Sequence, residues 1–395
     1  MQTVVVGPFA YRLSGNSARF VGLVMFAQLG PQLLLAIPGG ALSNRVPNRR
    51  VLMQILQVVQ LGAAIFLAIV AAAERPSKWL VLVGVAIGGT AGSLYAPNYQ
   101  AIVPELAGPE NIAGAVSLNS AQVNGSRVIG PVLYAVLHRA IGLSASNAFL
   151  FNAVTFVFVI GTLYRCPVPN APPPDPSAPK GFRVLAEGIN AVRANPILKR
   201  ALVTMFAMSL FSLSFIGQFQ TIAERAFGVN SKGQTYSLLY ATWGIGSLLS
   251  ALSMGTIFAH VDKRSLTKPM LLGFSFFLAA FGLVRTTELA FPVGFALGCC
   301  YFGVPTALLT VVQEQLAPRT RAPVMALWFM AFGGVVPLAA LWGGEIMDRI
   351  GGAAGVAVVL LIGALVSAFL AFYGDLRRVG AGDTSPANTT ASDSR

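Results

Sequence analysis

Long apolar runs separated by short polar breaks fill the chain. Eleven of them, at 20–42, 51–73, 79–103, 118–142, 146–165, 201–223, 235–258, 266–285, 289–313, 322–344 and 353–373, each hold the roughly 20 residues a helix needs to cross a hydrocarbon core about 30 Å thick. They predict eleven full transmembrane spans. Residues 1–13 are equally apolar, but as a helix they reach only about 20 Å, which predicts a truncated first helix. The predicted fold class is an all-α membrane protein. No basic start followed by a small-residue cleavage site marks a removable signal peptide.

One break differs from the rest. Between Cys166 and Lys180 stand Pro167, Pro169, Pro172, Pro173, Pro174, Pro176 and Pro179, which exclude regular helix and favour extended, solvated chain. After it Phe182, Val184, Leu185, Ile189 and Val192 recur at helical spacing, predicting a short amphipathic helix on the inner membrane surface. The chain is thereby divided into an N-terminal helix bundle at 1–165, a cytoplasmic linker with its amphipathic helix at 166–200, a C-terminal bundle at 201–373 and a polar tail at 374–395 that predicts disorder.

Self-comparison ties the two bundles together. A shift of 210 residues lays Val83, Gly84, Ala86 and Gly88 on Val293, Gly294, Ala296 and Gly298, and Leu106-Ala107 on Leu316-Ala317; a shift of 215 lays Gly40 and Arg49 on Gly255 and Arg264. Two duplicated six-helix bundles in parallel, with a cavity at their interface near mid-membrane, form an architecture that rocks between inward-open and outward-open states.

Composition agrees with the pattern. Of 395 residues 55% are apolar and 10% charged, a balance foreign to water-soluble folds. Cys166, Cys299 and Cys300 are the only cysteines; no disulfide framework can be read, and small-residue packing between helices is their bland role. The net charge of +13 would suit nucleic acid only if the basic residues clustered on one surface, and their positions follow membrane sidedness instead. With the N-terminus inside, seventeen of the 27 Lys and Arg fall in inner segments, nine in outer ones, and Arg127 within a span. That asymmetry predicts a multi-pass protein of the cell (inner or plasma) membrane with both termini cytoplasmic, partnered by the lipid bilayer and by no nucleic acid.

Certain loops carry more. The segment Gly40-Ala-Leu-Ser-Asn44-Arg45-Val-Pro47-Asn48-Arg49-Arg50 resembles the loop signature of the major facilitator superfamily, in which a glycine precedes an acid and a basic cluster. Asn44 stands where the acid is usual, and Ala259 replaces it in the second half, beside Gly255, Lys263 and Arg264. The resemblance implies gating roles for Gly40, Arg45, Arg49 and Arg50, with a latch weaker than or different from the usual acid-based one. Pro97-Asn-Tyr-Gln-Ala-Ile-Val-Pro104-Glu105-Leu106 and the stretch from Ala115 through Asn119, Asn124 and Arg127 to Gly130-Pro131 resemble the enterobactin-exporter and macrolide-efflux branch, the transmembrane secretion effectors. That resemblance covers essentially the whole chain. It implies the major facilitator fold, about twenty residues preceding Met1, a glycine-proline kink beside the cavity at Gly130-Pro131, and efflux of a small amphipathic compound, drug-like or siderophore-like, driven by protons as coupling ion. An importer or uniporter on the same fold, and a non-transporting membrane sensor or degenerate scaffold, stay open as alternatives.

Polar groups inside spans are costly and so are candidate sites. Arg127 falls within a span, where a buried guanidinium would hold an anionic group or latch two helices, with a snorkelling or structural role as its bland alternative. Glu314, at the inner end of a span, is placed to pair with arginines or carry a proton, and Glu105 occupies a similar place. Glu345, Asp348 and Arg349 are expected to form a wet surface cluster. By analogy with the family, Gln2, Gln28, Asn98, Tyr99, Asn119, Asn124, Gln218, Tyr240, Trp243, Tyr301 and Trp328 are cavity candidates, and aromatic walls with few fixed charges suit bulky amphipathic solutes. Gly84, Gly88 and Gly92 predict close helix contact. His138 and His260 sit at span ends without metal-ligand partners, no phosphate-cradling Walker loop argues for direct ATP drive, and no span pairs a nucleophile with a base. Cofactor, metal and enzyme roles are accordingly not expected.

Overall fold

The computed structural model describes residues 2–46, 48–108, 111–170, 182–230, 233–258, 260–316 and 318–376. The proline-rich stretch at 171–181, the tail from 377 onward, Pro47 and Ala259 lie outside the described residues. Among those described, all regular structure is helical.

The first half comprises α1 (Gln2–Leu13), α2 (Ala18–Arg45), α3 (Arg49–Ala72), α4 (Lys78–Ala107), α5 (Ile112–Ile141) and α6 (Ala145–Arg165). A short helix, α7 (Phe182–Ala194), precedes the second half. That half comprises α8 (196–227), α9 (Gln234–Gly255), α10 (Lys263–Leu283), α11 (Thr287–Glu314), α12 (318–350) and α13 (Gly352–Tyr373). Local chemistry sets several starts. Asn48, Ser144 and Asp262 cap α3, α6 and α10 through their side-chain oxygens, and Asn195 accepts from the amides of Ile197 and Leu198 at 2.9 and 3.2 Å with Pro196 opening α8. The reversal from α1 into α2 uses Gly15 and Asn16, both at positive φ.

Among the described residues, eight helices are long and apolar enough to span a membrane by length and composition: α3, the first part of α4, α6, α9, α10, α11, α12 from Pro323, and α13. Helices α2 (28 residues) and α5 (30 residues), with the interrupted α8, complete the eleven long helices that the apolar runs predict; α1 is the short twelfth. Their outer faces bear the mark of a lipid solvent. Ile69, Ile129, Phe158, Phe276, Leu365 and Phe369 are all 65% exposed or more, an arrangement unstable in water and suited to acyl chains.

Two helices are not regular. α8 passes through a π-helical segment at Met208–Ser212 and breaks again at Gln218, and α12 has a π-helical segment at Met330–Gly334 just ahead of Pro337. A proline lacks the amide and its ring collides with the carbonyl four residues back, so a widened turn before Pro337 relieves the clash.

The pairing of helices reproduces the internal repeat. Within the first half α2 packs on α4, α3 on α6 and α3 on α4; within the second the counterparts α9 on α11, α10 on α13 and α10 on α11 recur. Between halves α2 packs on α12 and α5 on α9, two pairs that exchange when the halves are swapped, while α1 meets α8, a pair that maps onto itself. Two pseudo-symmetric six-helix bundles are thus built as the sequence shift requires. Helix α7 lies against the first turns of α12 and against α8; a Cβ at its Gly188 would sit 2.8 Å from the Pro323 carbonyl oxygen. The amphipathic helix expected on the membrane surface therefore also has a protein face.

Candidate functional site

Polar groups gather at three levels along the seam and the bundles. The end of the molecule where α1 finishes and α2 begins is closed by a single carboxylate. Asp348, on the last turn of α12, accepts hydrogen bonds from the backbone amides of Ala18 (2.9 Å) and Arg19 (2.8 Å), from Ser17 Oγ (2.7 Å) and from Arg225 Nη2 (2.6 Å). An acid of one half thus caps the first turn of a helix in the other, where free amides and the helix dipole favour negative charge. Arg225 on α8 spreads the tie, donating also to the Tyr11 hydroxyl (3.1 Å), the Met347 carbonyl (2.7 Å) and the Asn16 carbonyl (2.7 Å). Glu345 and Arg349 form the expected exposed pair at 2.8 Å, and Glu345 also reaches Arg19 at 3.1 Å across the seam. Asp348 departs from the wet cluster expected for it: it is a node between the halves.

Below that node the seam is tight. Cβ atoms at Gly22 and Gly344 would overlap the carbonyl oxygens of Ala340 and Ala18. At the break in α8, the fully buried Gln218 donates from Nε2 to the carbonyls of Ala18 and Ala340, each at 2.9 Å, and accepts from Thr221 Oγ1 at 2.9 Å. It stitches α2, α8 and α12 together.

The opposite end is organised within each half. Arg49, at the start of α3, sends Nη1 to both carboxylate oxygens of Glu105 at the end of α4 (2.9 and 3.0 Å). The Arg49 side chain is 5% exposed and that of Glu105 39%. The signature loop, lacking its usual acid, has one of its arginines held by the acid of the Pro104-Glu105 stretch. Lys268 and Asp375 pair at 3.4 Å in the other half.

At mid-depth two environments stand apart. In the second half Tyr240, Trp243 and Tyr301 meet Phe215 and Phe219 in one aromatic cluster, with Trp243–Tyr301 and Trp243–Tyr240 centroids 5.5 and 5.3 Å apart. Trp243 and Tyr301 are buried, and the Trp243 indole nitrogen has no hydrogen-bond partner. In the first half a cavity of about 240 Å³ opens between α2, α3, α4 and α6. Gln28, Gln32, Gln60 and Ser93 give it polar walls; Leu29, Ala63, Ala64, Ala96 and Phe156 give it apolar ones. The glycine stripe of α4 makes the room. Gly84 abuts Leu67 and Phe66 of α3, Gly88 and Gly92 face Ala63 and Gln60, and the α2 backbone presses on Gly89.

The structure therefore brings Gln28 to the first-half cavity, Tyr240, Trp243 and Tyr301 to the aromatic cluster, and Gln218 to the seam. Asn98 is buried on α4 and donates to the Leu94 carbonyl at 2.9 Å; Tyr99 donates to Gln122 Oε1 at 3.3 Å and stacks on Tyr95. Trp328 is buried in α12, and Glu314 and Arg50 sit at the Arg49 end, Glu314 exposed. Helix α5 runs unbroken through Gly130 and Pro131, and α2 through Gly40. The side chains of Gln2, Arg45, Asn119, Asn124, Arg127 and Pro131 lie outside the described residues. Sequence reasoning missed Gln32, Gln60, Ser93, Arg225 and the role of Asp348. Gln54, Gln57 and Gln60 at every third position of an apolar run were the available signal for Gln60.

Comparison with known proteins agrees with this architecture. The family model described as transmembrane secretion effector matches residues 1–393. Among curated proteins the chain is similar to the staphyloferrin A transporter of Staphylococcus aureus, at 21% identity over 82% of this chain and 80% of the relative. It is also similar to an uncharacterised MFS-type transporter of Bacillus subtilis, at 23% identity over 80% and 78%. Among solved structures a mutant of the nucleoside transporter NupG superposes with a TM-score of 0.71 at 16% identity, covering 94% of both chains. The POT family transporter PepTSo follows at 0.70 and 12% identity, covering 97% of both.

Proposed function

The chain belongs to the transmembrane secretion effector family of the major facilitator superfamily, and on that premise we propose that it exports a small amphipathic compound, drug-like or siderophore-like, by alternating access against an inward flow of protons. It is a multi-pass membrane transporter, with a lipid bilayer around it and a small molecule as cargo. The finer reading rests chiefly on one observation. Among the described residues, the hydrogen bonds and ion pairs that join the two halves gather at one mouth, around Asp348, Arg225 and Gln218. Ties between the halves at one mouth, which must part when that mouth opens, are what a rocking mechanism requires of an end state.

The excess of Lys and Arg at the Arg49 end favours a reading with that mouth towards the cytoplasm and the Asp348 mouth towards the outside. Residues 1–165 and 201–373 are the rocking units, joined through 166–200. The name of the staphyloferrin A transporter favours including siderophores in the cargo class. Charge-poor walls around Trp243 and around Gln28 suit solutes that are mostly apolar.

The test is flux in proteoliposomes under imposed pH gradients, against a panel of dyes, macrolides and siderophores. Accumulation opposite to the proton flow, reversing when the gradient is reversed, supports proton-driven export. Flux insensitive to the gradient points to a uniporter, flux along the proton flow to an importer, and no flux of any compound overturns the transport reading.

A further inference from the structure

The two sides of the Asp348 mouth are built on one plan. A shift of 213 residues lays Tyr11-Arg12 and Gly15 on Glu224-Arg225 and Gly228, and a shift of 210 lays His138-Arg139 and Gly142 on Asp348-Arg349 and Gly352. All four glycines have positive φ, so the turns correspond in conformation as well as in order. Since α1 answers to α8, α5 to α12 and α2 to α9, the seat formed by Arg225 and Asp348 has a counterpart formed by Arg12 and position 138.

The two seats are filled differently. Arg225 spends all three of its nitrogens on the Tyr11 hydroxyl, the Asn16 and Met347 carbonyls and the Asp348 carboxylate. Among the described residues Arg12 forms no ion pair, and its Nη1 is shut off from solvent with no hydrogen-bond partner. His138 stands where the acid is needed. It turns Nδ1 to the Leu143 carbonyl oxygen of its own loop at 2.9 Å and stacks its ring on Tyr134, and an imidazole brings a guanidinium no negative charge in either protonation state. Glu224, the counterpart of Tyr11, shares with Arg12 a cleft of about 370 Å³ between the α1–α2 and α8–α9 turns. It acts on Arg12 only beyond ion-pair distance, where water screens the attraction.

Opening therefore does different things on the two sides. At Asp348 it breaks charge-assisted hydrogen bonds. At Arg12 it returns water to a guanidinium nitrogen that the closed mouth leaves unmatched, and an unmet buried donor is costly. We propose that this mouth parts in two steps, first on the Arg12 side between α5 and α9 and then at Asp348, because the acid missing at 138 leaves the first side unfastened. The proposal rests on the alternating-access reading and gives the order of events at one mouth; distances test it without any cargo.

Paired spin labels separate the sides in full-length protein with the native cysteines replaced. Glu74→Cys with Ile350→Cys spans the Asp348 side, and its counterpart, Glu288→Cys with Ile141→Cys, spans the Arg12 side; all four positions are exposed. In electron–electron resonance the long-distance population is expected to be roughly threefold larger on the Arg12 side. His138→Asp supplies the missing carboxylate and is expected to cut that population roughly tenfold, whereas His138→Asn, which brings no charge, leaves it in place. Arg12→Leu removes the unmatched cation and is expected to cut it as well, and in that background His138→Asp has no further effect. Should His138→Asp fail to stay monodisperse, Arg12→Leu alone carries the test. Equal populations on the two sides overturn the proposal, as does an Arg12 side indifferent to both variants, or a His138→Asp effect that persists without Arg12. A protein that shows these distances and moves no solute would end the transport reading and leave the two-step mouth standing; flux with both sides alike would do the reverse.

Discussion

A single oxygen pair on Asp348 receives four donors from two places, two backbone amides and Ser17 at the start of α2 and the guanidinium of Arg225 on α8. Hydrogen bonds to a charged group contribute about 1.5–3 kcal/mol each when well made, less where solvent competes. Asp348→Asn keeps the shape and removes the charge, so the closed mouth is expected to lose about 1–3 kcal/mol relative to the open one, roughly a 5- to 150-fold shift. Spin labels at Glu74 in the first half and Glu288 in the second, both exposed loop-side positions, read it as a growing long-distance population in electron–electron resonance; an unchanged distribution refutes the latch. At the other end, Glu105→Gln leaves the nearly buried Arg49 without its anion. With Glu105 itself partly exposed, the cost is about 1–3 kcal/mol in thermal unfolding in detergent. Arg49→Met paired with Glu105→Leu is expected to recover most of it, and a loss equal to the sum of the single variants contradicts coupling. Neither partnership was legible in the sequence. Arg49 and Glu105 are 56 positions apart and Ser17 and Asp348 331; only the fold brings them together, and the cluster Glu345, Asp348, Arg349 looks like ordinary solvated surface until the neighbouring helix is in place.

At the scale of helices, hydrophobic periodicity announces almost everything, because a span must satisfy its own backbone and so must be long, apolar and helical. The stripe Gly84, Gly88, Gly92 follows from residue type alone, whereas capping does not: Asn48, Ser144, Asn195 and Asp262 cap their helices, but Ser77 and Asn111 at the starts of α4 and α5 make no side-chain cap bond. The π-helical segments at Met208–Ser212 and Met330–Gly334 do not follow from it either, since nothing in their composition separates them from regular helix except Pro337 downstream of the second. Nor does composition tell which glycines are structural. The structure separates them: a Cβ at Gly89 would overlap the Gln28 carbonyl oxygen and one at Gly298 that of Trp243, while Gly62 and Gly161 face open space. Gly89→Ala and Gly298→Ala are expected to push apart α2–α4 and α9–α11 at a cost of about 1–3 kcal/mol. Gly62→Ala is expected to be neutral or to raise the melting temperature, because alanine is the better helix former. Equal losses at all three sites would contradict the packing argued for these crossings.

For the whole molecule, the sequence shifts of 210 and 215 residues foretell two like bundles, but the seam between them is a matter of which faces meet. Helices α2 and α12 carry small residues at their crossing, Gly22, Ala18, Ala340 and Gly344, so backbones touch there and a small rotation separates them without disturbing either bundle's interior. The ties within a bundle, such as Lys268 with Asp375, do not change length in such a rotation; the tie of Arg19 with Glu345 does. Joining Arg19→Cys to Glu345→Cys with a short bis-thiosulfonate reagent is therefore expected to stop turnover and a reductant to restore it, with the native cysteines replaced. The same reagent across Lys268→Cys and Asp375→Cys is expected to leave most of the flux intact. Turnover that continues with the first pair joined would mean that cargo passes without the Asp348 mouth opening, and the two halves would then be a rigid scaffold rather than the moving parts.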